Sequence, residues 1–84
     1  MGKGFDTCDR VLSYIEEHYI EHLKFPTYLD IAEAVDLNST SSVHRHMINL
    51  EVKKIIEFQG KQYRLSRERM IEIFKEIIES EDAR

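Results

Sequence analysis

The only proline of the chain, Pro26, fixes where its first helix must end. A proline pushes the residue before it toward extended geometry, so Phe25 cannot continue a helix. Upstream of this break, apolar residues recur at helical spacing from about Thr7 to Leu23, and Asp6 or Thr7 can cap the segment. We therefore predict an amphipathic first helix and a short connector. The inward stripe of the helix is Cys8, Leu12, Ile15, Tyr19 and Leu23, with Val11 beside it.

Two shorter helical segments follow the connector. Thr27 can act as the N-cap of the first, and Asp30 stands at the matching position of a capping box. Asp36 then stands where a tight turn needs a left-handed residue, a conformation that Asp tolerates and Gly adopts more readily. The second segment starts with Ser39 or Thr40 as its cap. The buried face of the first segment is predicted to be Ile31, Ala32 and Val35, with Leu37 returning to the core.

The second of these segments is the predicted third helix of the chain. It covers about residues 40–52 and has two unlike faces. Val43, Met47 and Leu50 recur at helical spacing and should point inward. A helix that opens with serines and turns arginine, histidine and asparagine outward is the usual form of an element that reads a DNA groove. A solvent-exposed helix with no partner would show the same pattern, so these residues alone leave both interpretations open. The polar face comprises Ser41, Ser42, His44, Arg45 and Asn49.

Beyond Leu50 the pattern changes from helical to β-prone. Two short runs, 55–58 and 62–65, flank Gly60, which predicts a β-hairpin. Ser66 can cap a last helix that carries a broad apolar stripe.

The order of these elements predicts an α+β fold that is mostly helical. Two helices joined by a short turn and followed by a hairpin describe a winged helix-turn-helix, three helices plus a β-hairpin wing, over residues 7–65. An added C-terminal helix, about 67–80 within a segment 66–80, follows this core. At 84 residues the chain is one domain at most, spanning 1–84.

The charge of the chain is unevenly distributed. The net charge of −4 by itself argues against a nucleic-acid partner. Residues 1–37 carry −5, residues 38–69 carry +4, and residues 70–84 carry −3. A phosphate backbone meets the local charge rather than the total, so the basic middle segment keeps DNA binding open. The acidic flanks could serve a protein partner.

Several classes of protein are excluded by the sequence. No apolar run approaches the ~20 residues that cross a bilayer, and none resembles a signal peptide, so we expect no membrane partner. The lone Cys8 cannot form an internal disulfide and fits a reducing cytoplasm. No Gly-rich phosphate loop, acid pair or catalytic triad appears, so we expect neither enzymatic activity nor a cofactor. His18 and His22 have a spacing that can chelate a metal, but no third ligand is near them in sequence.

A family resemblance lies in the middle of the chain, in Phe25-Pro26-Thr27, Asp30-Ile31-Ala32-Glu33-Ala34-Val35, Leu37, Ser39-Thr40-Ser41-Ser42-Val43-His44-Arg45-His46-Met47 and Leu50. In these residues the chain resembles the N-terminal DNA-binding domain of the LexA repressor, over roughly residues 8–65. The resemblance implies that the start of the third helix lies in the major groove. It also implies that the hairpin, around Gln59, Gly60 and Lys61, lies along the backbone and that His46 is structural.

The candidate contacts follow from these positions and from residue chemistry. Arg45 can pair bidentately with guanine. Thr27 and Tyr28 open the second helix, where backbone amides often meet phosphate. The lysines near the wing, together with Arg64, are candidate phosphate contacts, although each could be a solvated surface charge. In all, we expect double-stranded DNA contacts from Thr27, Tyr28, Ser39, Ser41, Ser42, His44, Arg45, Lys53, Lys54 and Lys61.

Some positions depart from the family pattern. Asp36 and Lys54 stand where the family commonly has glycine, in the turn and at the end of the third helix. Ile48 replaces a position that is often charged. The Ser/Lys dyad of the repressor's C-terminal self-cleaving protease domain has no counterpart in these residues, so the resemblance implies no peptidase activity.

Two hypotheses about partners remain. The leading one is a sequence-specific transcriptional regulator of LexA-like winged-helix type; the alternative is a winged-helix protein-protein interaction module that does not bind DNA. The stripe of the last helix is wider than one small core needs, so we expect a homodimer, and the alternative is that this helix folds back onto the first. The expected dimer contacts are Met70, Phe74, Ile77 and Ile78.

Overall fold

The computed structural model describes residues 7–82 and confirms a winged helix-turn-helix with an added C-terminal helix. Three helices precede a two-stranded antiparallel hairpin, and a fourth helix follows it. None of the described helices is long and apolar enough to span a bilayer. The elements are α1 Thr7–His22, α2 Tyr28–Ala34, α3 Thr40–Val52, β1 Ile56–Gln59, β2 Gln62–Leu65 and α4 Arg67–Asp82.

A hydrophobic cluster joins all six of these elements. α3 packs against α1, α2 and β1. Its inward face is the predicted one, because Val43 and Met47 are 0% exposed and Leu50 is 2% exposed. Burying each side chain of this size stabilises the fold by about 1.5–3 kcal/mol, so α3 has one strongly preferred orientation. The other members of the cluster are Cys8, Val11, Ile15, Ile31, Ala32, Val35, Ile56, Leu65 and Ile73.

One predicted member of the α1 stripe is wrong. Leu23 is 72% exposed and lies outside the core. α1 ends at His22 because Leu23 is left-handed, with φ of 61°, while its N–H donates to the Tyr19 carbonyl at 2.7 Å. This termination turns the Leu23 side chain away from the helical stripe. Asp6, one of the two predicted caps of α1, lies outside the described residues.

A capping box starts α2, as predicted. The Thr27 hydroxyl accepts from the Asp30 N–H at 3.1 Å, and the Asp30 carboxylate accepts from the Thr27 N–H at 3.1 Å. These hydrogen bonds, above all the one from the Thr27 backbone, lower the pKa of Asp30. The entry of the chain into the helix-turn-helix is therefore fixed by its own local residues.

Left-handed residues also end α2 and α3. Asp36 and Lys54, at the two positions where glycine is commoner, have φ of 61° and 64°. After Asp36, the Leu37 N–H donates to the Ala32 carbonyl at 2.8 Å, and an equivalent closure follows Lys54. These are Schellman-type helix ends, and a non-glycine residue in them costs about 1 kcal/mol. The first of them begins the turn between α2 and α3.

The wing is a short hairpin with a two-residue turn. Ile56 pairs with Leu65, both in the core, and Phe58 pairs with Tyr63. Gly60, with φ of 61°, opens the turn, which is the conformation that glycine favours in tight hairpins. The core pair at the base holds the wing against the helices.

α4 is attached to the core at its N-terminal half. The buried Ser66 caps it, as predicted, by accepting from the Arg69 N–H at 3.3 Å. Arg69 forms ion pairs with Glu16 of α1 and with Glu72, and the hydrogen bond that it donates to the Glu16 carboxylate raises the pKa of Arg69. Ile73 is 3% exposed and belongs to the core. The predicted alternative, in which this helix folds back onto α1, therefore holds for the part of α4 around Arg69, which pairs with Glu16 of α1.

Candidate nucleic-acid interface

The exposed ridge of α3 lies opposite its buried face. At 3.6 residues per turn, Ser41, Arg45 and Ile48 fall within an arc of about 60°. Ser41, Arg45 and Ile48 are all exposed, so this ridge is open to a partner. Because the inward face of α3 is fixed by the core, the direction of the ridge is fixed as well.

The serines at the start of α3 do not share one role. Ser39 is the N-cap, and its hydroxyl accepts from the Ser42 N–H at 3.4 Å. The two hydroxyl oxygens of Ser39 and Ser42 lie 3.5 Å apart. Ser41 is exposed. Capping therefore engages Ser39 and Ser42, whereas the Ser41 hydroxyl is presented outward.

His44 lies on the side of α3 that faces α2 and the wing. Its ring centroid is 6.0 Å from that of Tyr28 and 6.3 Å from that of Phe58. Tyr28 also lies 6.0 Å from Tyr63. These aromatic contacts connect the start of α2, the first turns of α3 and both strands of the wing, so the three predicted contact elements are held in one arrangement.

Tyr63 ties the wing to the connector before α2. Its hydroxyl donates to the Pro26 carbonyl at 2.5 Å, and its ring lies 5.6 Å from that of Phe25. Burial raises the pKa of the Tyr63 phenol, which keeps it a donor. The sequence interpretation missed the structural role of both Phe58 and Tyr63. The sequence does carry a signal for this role, because Phe58 and Tyr63 each stand between polar residues. They lie two positions from Ile56 and Leu65, respectively, which are both in the core.

A groove of about 560 Å³ lies between the wing and the start of α2. Lys24 and Lys61 line it, together with Thr27, Tyr28 and neighbouring residues. Thr27 uses its N–H as a donor in the capping box, so its hydroxyl proton is the donor that remains for a phosphate. The structure therefore brings three predicted contacts together here: Thr27, Tyr28 and the turn lysine Lys61.

The basic segment is not uniformly available to phosphate. Arg69 is engaged by Glu16 and Glu72. Lys54 lines a separate groove with Glu51, Glu57 and Glu68, the only acidic residues of the segment 38–69. Their negative charge opposes a phosphate contact at Lys54. Within the segment 38–69, the exposed cations that lie outside this groove are Arg45, Lys53, Lys61, Arg64 and Arg67.

His46 has surroundings that suit a packing role. Its backbone carbonyl accepts from the Cys8 thiol at 3.8 Å. Its Nδ1 is buried and has no hydrogen-bond partner among the described residues.

On α1, the His18 Nδ1 donates to the Lys24 carbonyl at 2.9 Å, which engages that ring at the helix end. Within residues 7–82 no group of three or more metal-binding side chains occurs.

The expected dimer residues divide into two pairs on α4. Met70 and Ile77 are partly buried against the core of their own chain. Phe74 and Ile78 are 45% and 58% exposed, and Ile71 beside them is 46% exposed. The outer part of the stripe is thus an apolar surface on the described chain, and the inner part is core.

Comparison with known proteins gives consistent matches. A family model described as the LexA DNA binding domain matches residues 6–65, from α1 through the wing. The LexA repressor of Lactiplantibacillus plantarum is 49% identical over 47 residues, covering 56% of the chain and 22% of that repressor. The LexA repressor of Clostridium novyi is 38% identical over 68 residues, covering 81% of the chain and 31% of that repressor. The chain thus spans less than a third of the length of these relatives. No solved structure matches the chain.

Proposed function

Because the chain belongs to the LexA DNA-binding domain family, we propose that it is a sequence-specific, double-stranded DNA-binding transcriptional regulator. The observation that supports this most strongly is the coincidence of the family match, residues 6–65, with a helix-turn-helix whose exposed ridge lies in the basic segment. The matched family is a DNA-binding domain and not an enzyme. A cytoplasmic location belongs to the same proposal, since DNA is accessible there and Cys8 stays reduced.

The proposed contacts divide into base-reading and backbone-binding groups. α3 enters the major groove, where Ser41 and Arg45 on its ridge reach base edges. The wing and the start of α2 follow the phosphates through Lys61, Thr27 and Tyr28, which line one groove. Ser39, Ser42 and His44 support α3 from its start and its side, and Lys53 adds charge at its end, with Lys54 a weaker candidate.

Salt dependence of duplex binding tests the phosphate contacts. Binding to a duplex should weaken steeply as salt rises, because each neutralised phosphate adds about 0.9 to the logarithmic slope. Lys61→Ala should reduce that slope by about 1 and weaken all sequences alike. Fluorescence anisotropy over a salt series measures both, and Lys75→Ala on α4 is the matched control that should change neither. Absence of binding to any duplex at low salt would favour the interaction module.

We also propose that the chain forms a homodimer through the exposed part of the α4 stripe. Phe74, Ile78 and their neighbour Ile71 lie together on α4, outside the range that the family model matches. A single winged helix has a small footprint, and DNA readers commonly bind two-fold sites as dimers. Met70 and Ile77 would border this contact while packing on their own core.

The dimer proposal has a direct test in solution. Light scattering at micromolar concentration should give the mass of two chains for the wild type and of one chain for Ile78→Glu. A carboxylate in an apolar contact is costly to desolvate, which is the reason for the expected dissociation. Glu76→Lys, an exposed charge reversal on the other side of the same helix, should stay dimeric. A wild type that remains monomeric throughout would contradict the proposal.

A further inference from the structure

The outward ridge of α3 ends in apolar side chains. Ile48 is 42% exposed and Val52 is 74% exposed, on a helix whose opposite face is closely packed in the core. Ile48 continues the line of Ser41 and Arg45 along the ridge. Ile48 therefore places an aliphatic side chain on the surface that faces DNA in the proposed function, about one helical turn after the cation Arg45.

Helical spacing places Ile48 among the residues that reach bases. Ser41, Arg45 and Ile48 stand at i, i+4 and i+7, three of the four positions with which a homeodomain recognition helix reads base pairs. From Ser41 to Ile48 the helix rises about 10.5 Å, which is about two turns. Val52 lies about 6 Å further along the axis, at i+11 and outside this spacing.

The apolar side chain of Ile48 limits which groups on the base edges it can recognise. The base edges in the major groove present donors, acceptors and one apolar group, the C5-methyl of thymine. Cytosine presents the same group only when it is methylated at C5. An aliphatic side chain over a donor or acceptor would displace its water without replacing the hydrogen bond, whereas over a methyl group it buries apolar area.

We propose that Ile48 is a specificity-determining residue that contacts the C5-methyl group of a pyrimidine, close to the base pair that Arg45 reads. In ordinary DNA this pyrimidine is thymine. The proposal rests on the DNA-binding function proposed above and names one chemical feature of the operator.

The test pairs a protein variant with a base analogue. The probe is a duplex selected from random sequences by the wild-type chain, with each thymine replaced in turn by uracil, which lacks only the methyl. At the contacted thymine, uracil should weaken wild-type binding about four-fold, as expected for losing burial of one methyl-sized group. In Ile48→Ala the same replacement should change affinity by less than about 1.5-fold, because the partner of the methyl is gone.

Two further arms control this experiment. Val52→Ala removes an apolar side chain from the same ridge, about one turn past Ile48 and outside the i to i+7 spacing, and it should keep the full sensitivity to uracil. Replacing each cytosine of the probe by 5-methylcytosine identifies the source of the methyl. Weaker binding after a uracil replacement shows that the contacted methyl group belongs to thymine. Tighter binding after a cytosine methylation shows that it belongs to 5-methylcytosine. Either response supports the proposal if Ile48→Ala abolishes it.

The outcomes separate this proposal from the function on which it rests. Equal uracil and methylation sensitivity in the wild type and in folded Ile48→Ala, checked by circular dichroism, overturns the role of Ile48 and leaves DNA binding intact. Failure of the wild type to bind any duplex overturns both.

Discussion

Replacing Met47 with alanine should destabilise the fold by about 2–5 kcal/mol. Met47 is 0% exposed and lies on the inward face of α3, within the cluster that joins all six elements. The change removes apolar contacts and leaves a cavity that the surrounding helices can only partly fill. For a domain of this size each kcal/mol lowers the melting temperature by about 4–8 °C, so the loss should exceed ~8 °C.

The neighbouring residue supplies the control for this prediction. Ile48→Ala changes a side chain of similar size that is 42% exposed, so it should cost less than about 1 kcal/mol. Thermal unfolding followed by circular dichroism measures both variants. Equal losses at the two positions would mean that the inward and outward faces of α3 are wrongly assigned, and the ridge with them.

Replacing Arg45 with alanine should reduce the preference for the selected duplex over a scrambled one by about 5- to 150-fold. This range corresponds to the ~1–3 kcal/mol by which a bidentate arginine–guanine pair discriminates against the wrong base. Arg45 is exposed on the ridge, and no ion pair engages it among the described residues. It is therefore available for a base edge.

The ratio of affinities separates base reading from phosphate binding. Lys61→Ala is the matched change of one cation on the wing, and it should weaken binding to both duplexes while preserving their ratio. Competition titrations of each variant against the two duplexes give the ratios. If Arg45→Ala also preserved the ratio, Arg45 would be a phosphate contact.

Local sequence rules were sufficient for most element boundaries. Pro26 predicted the break after α1, the Thr27–Asp30 capping box predicted the start of α2, and Ser66 predicted that of α4. Gly60 predicted the turn of the wing. Each of these depends on residues a few positions apart, so the physics that decides them is present in the sequence itself.

The predictions that failed or were missing depend on tertiary placement. Leu23 fits the helical stripe by spacing, yet a left-handed backbone at that residue ends the helix and exposes it. The pairing of Arg69 with Glu16 spans 53 positions, and no local pattern indicates it. Charge counting likewise could not show that Glu51, Glu57 and Glu68 gather around Lys54.

Sequence-specific binding is tested most directly by selection from a pool of random duplexes with the purified chain, followed by titration of the enriched duplex and a scrambled one at physiological salt. We predict one enriched motif, bound at least ~10³-fold more tightly than the scrambled duplex, as is typical of specific readers. A pool that shows no enrichment, with equal affinity for both duplexes, would contradict the proposed function.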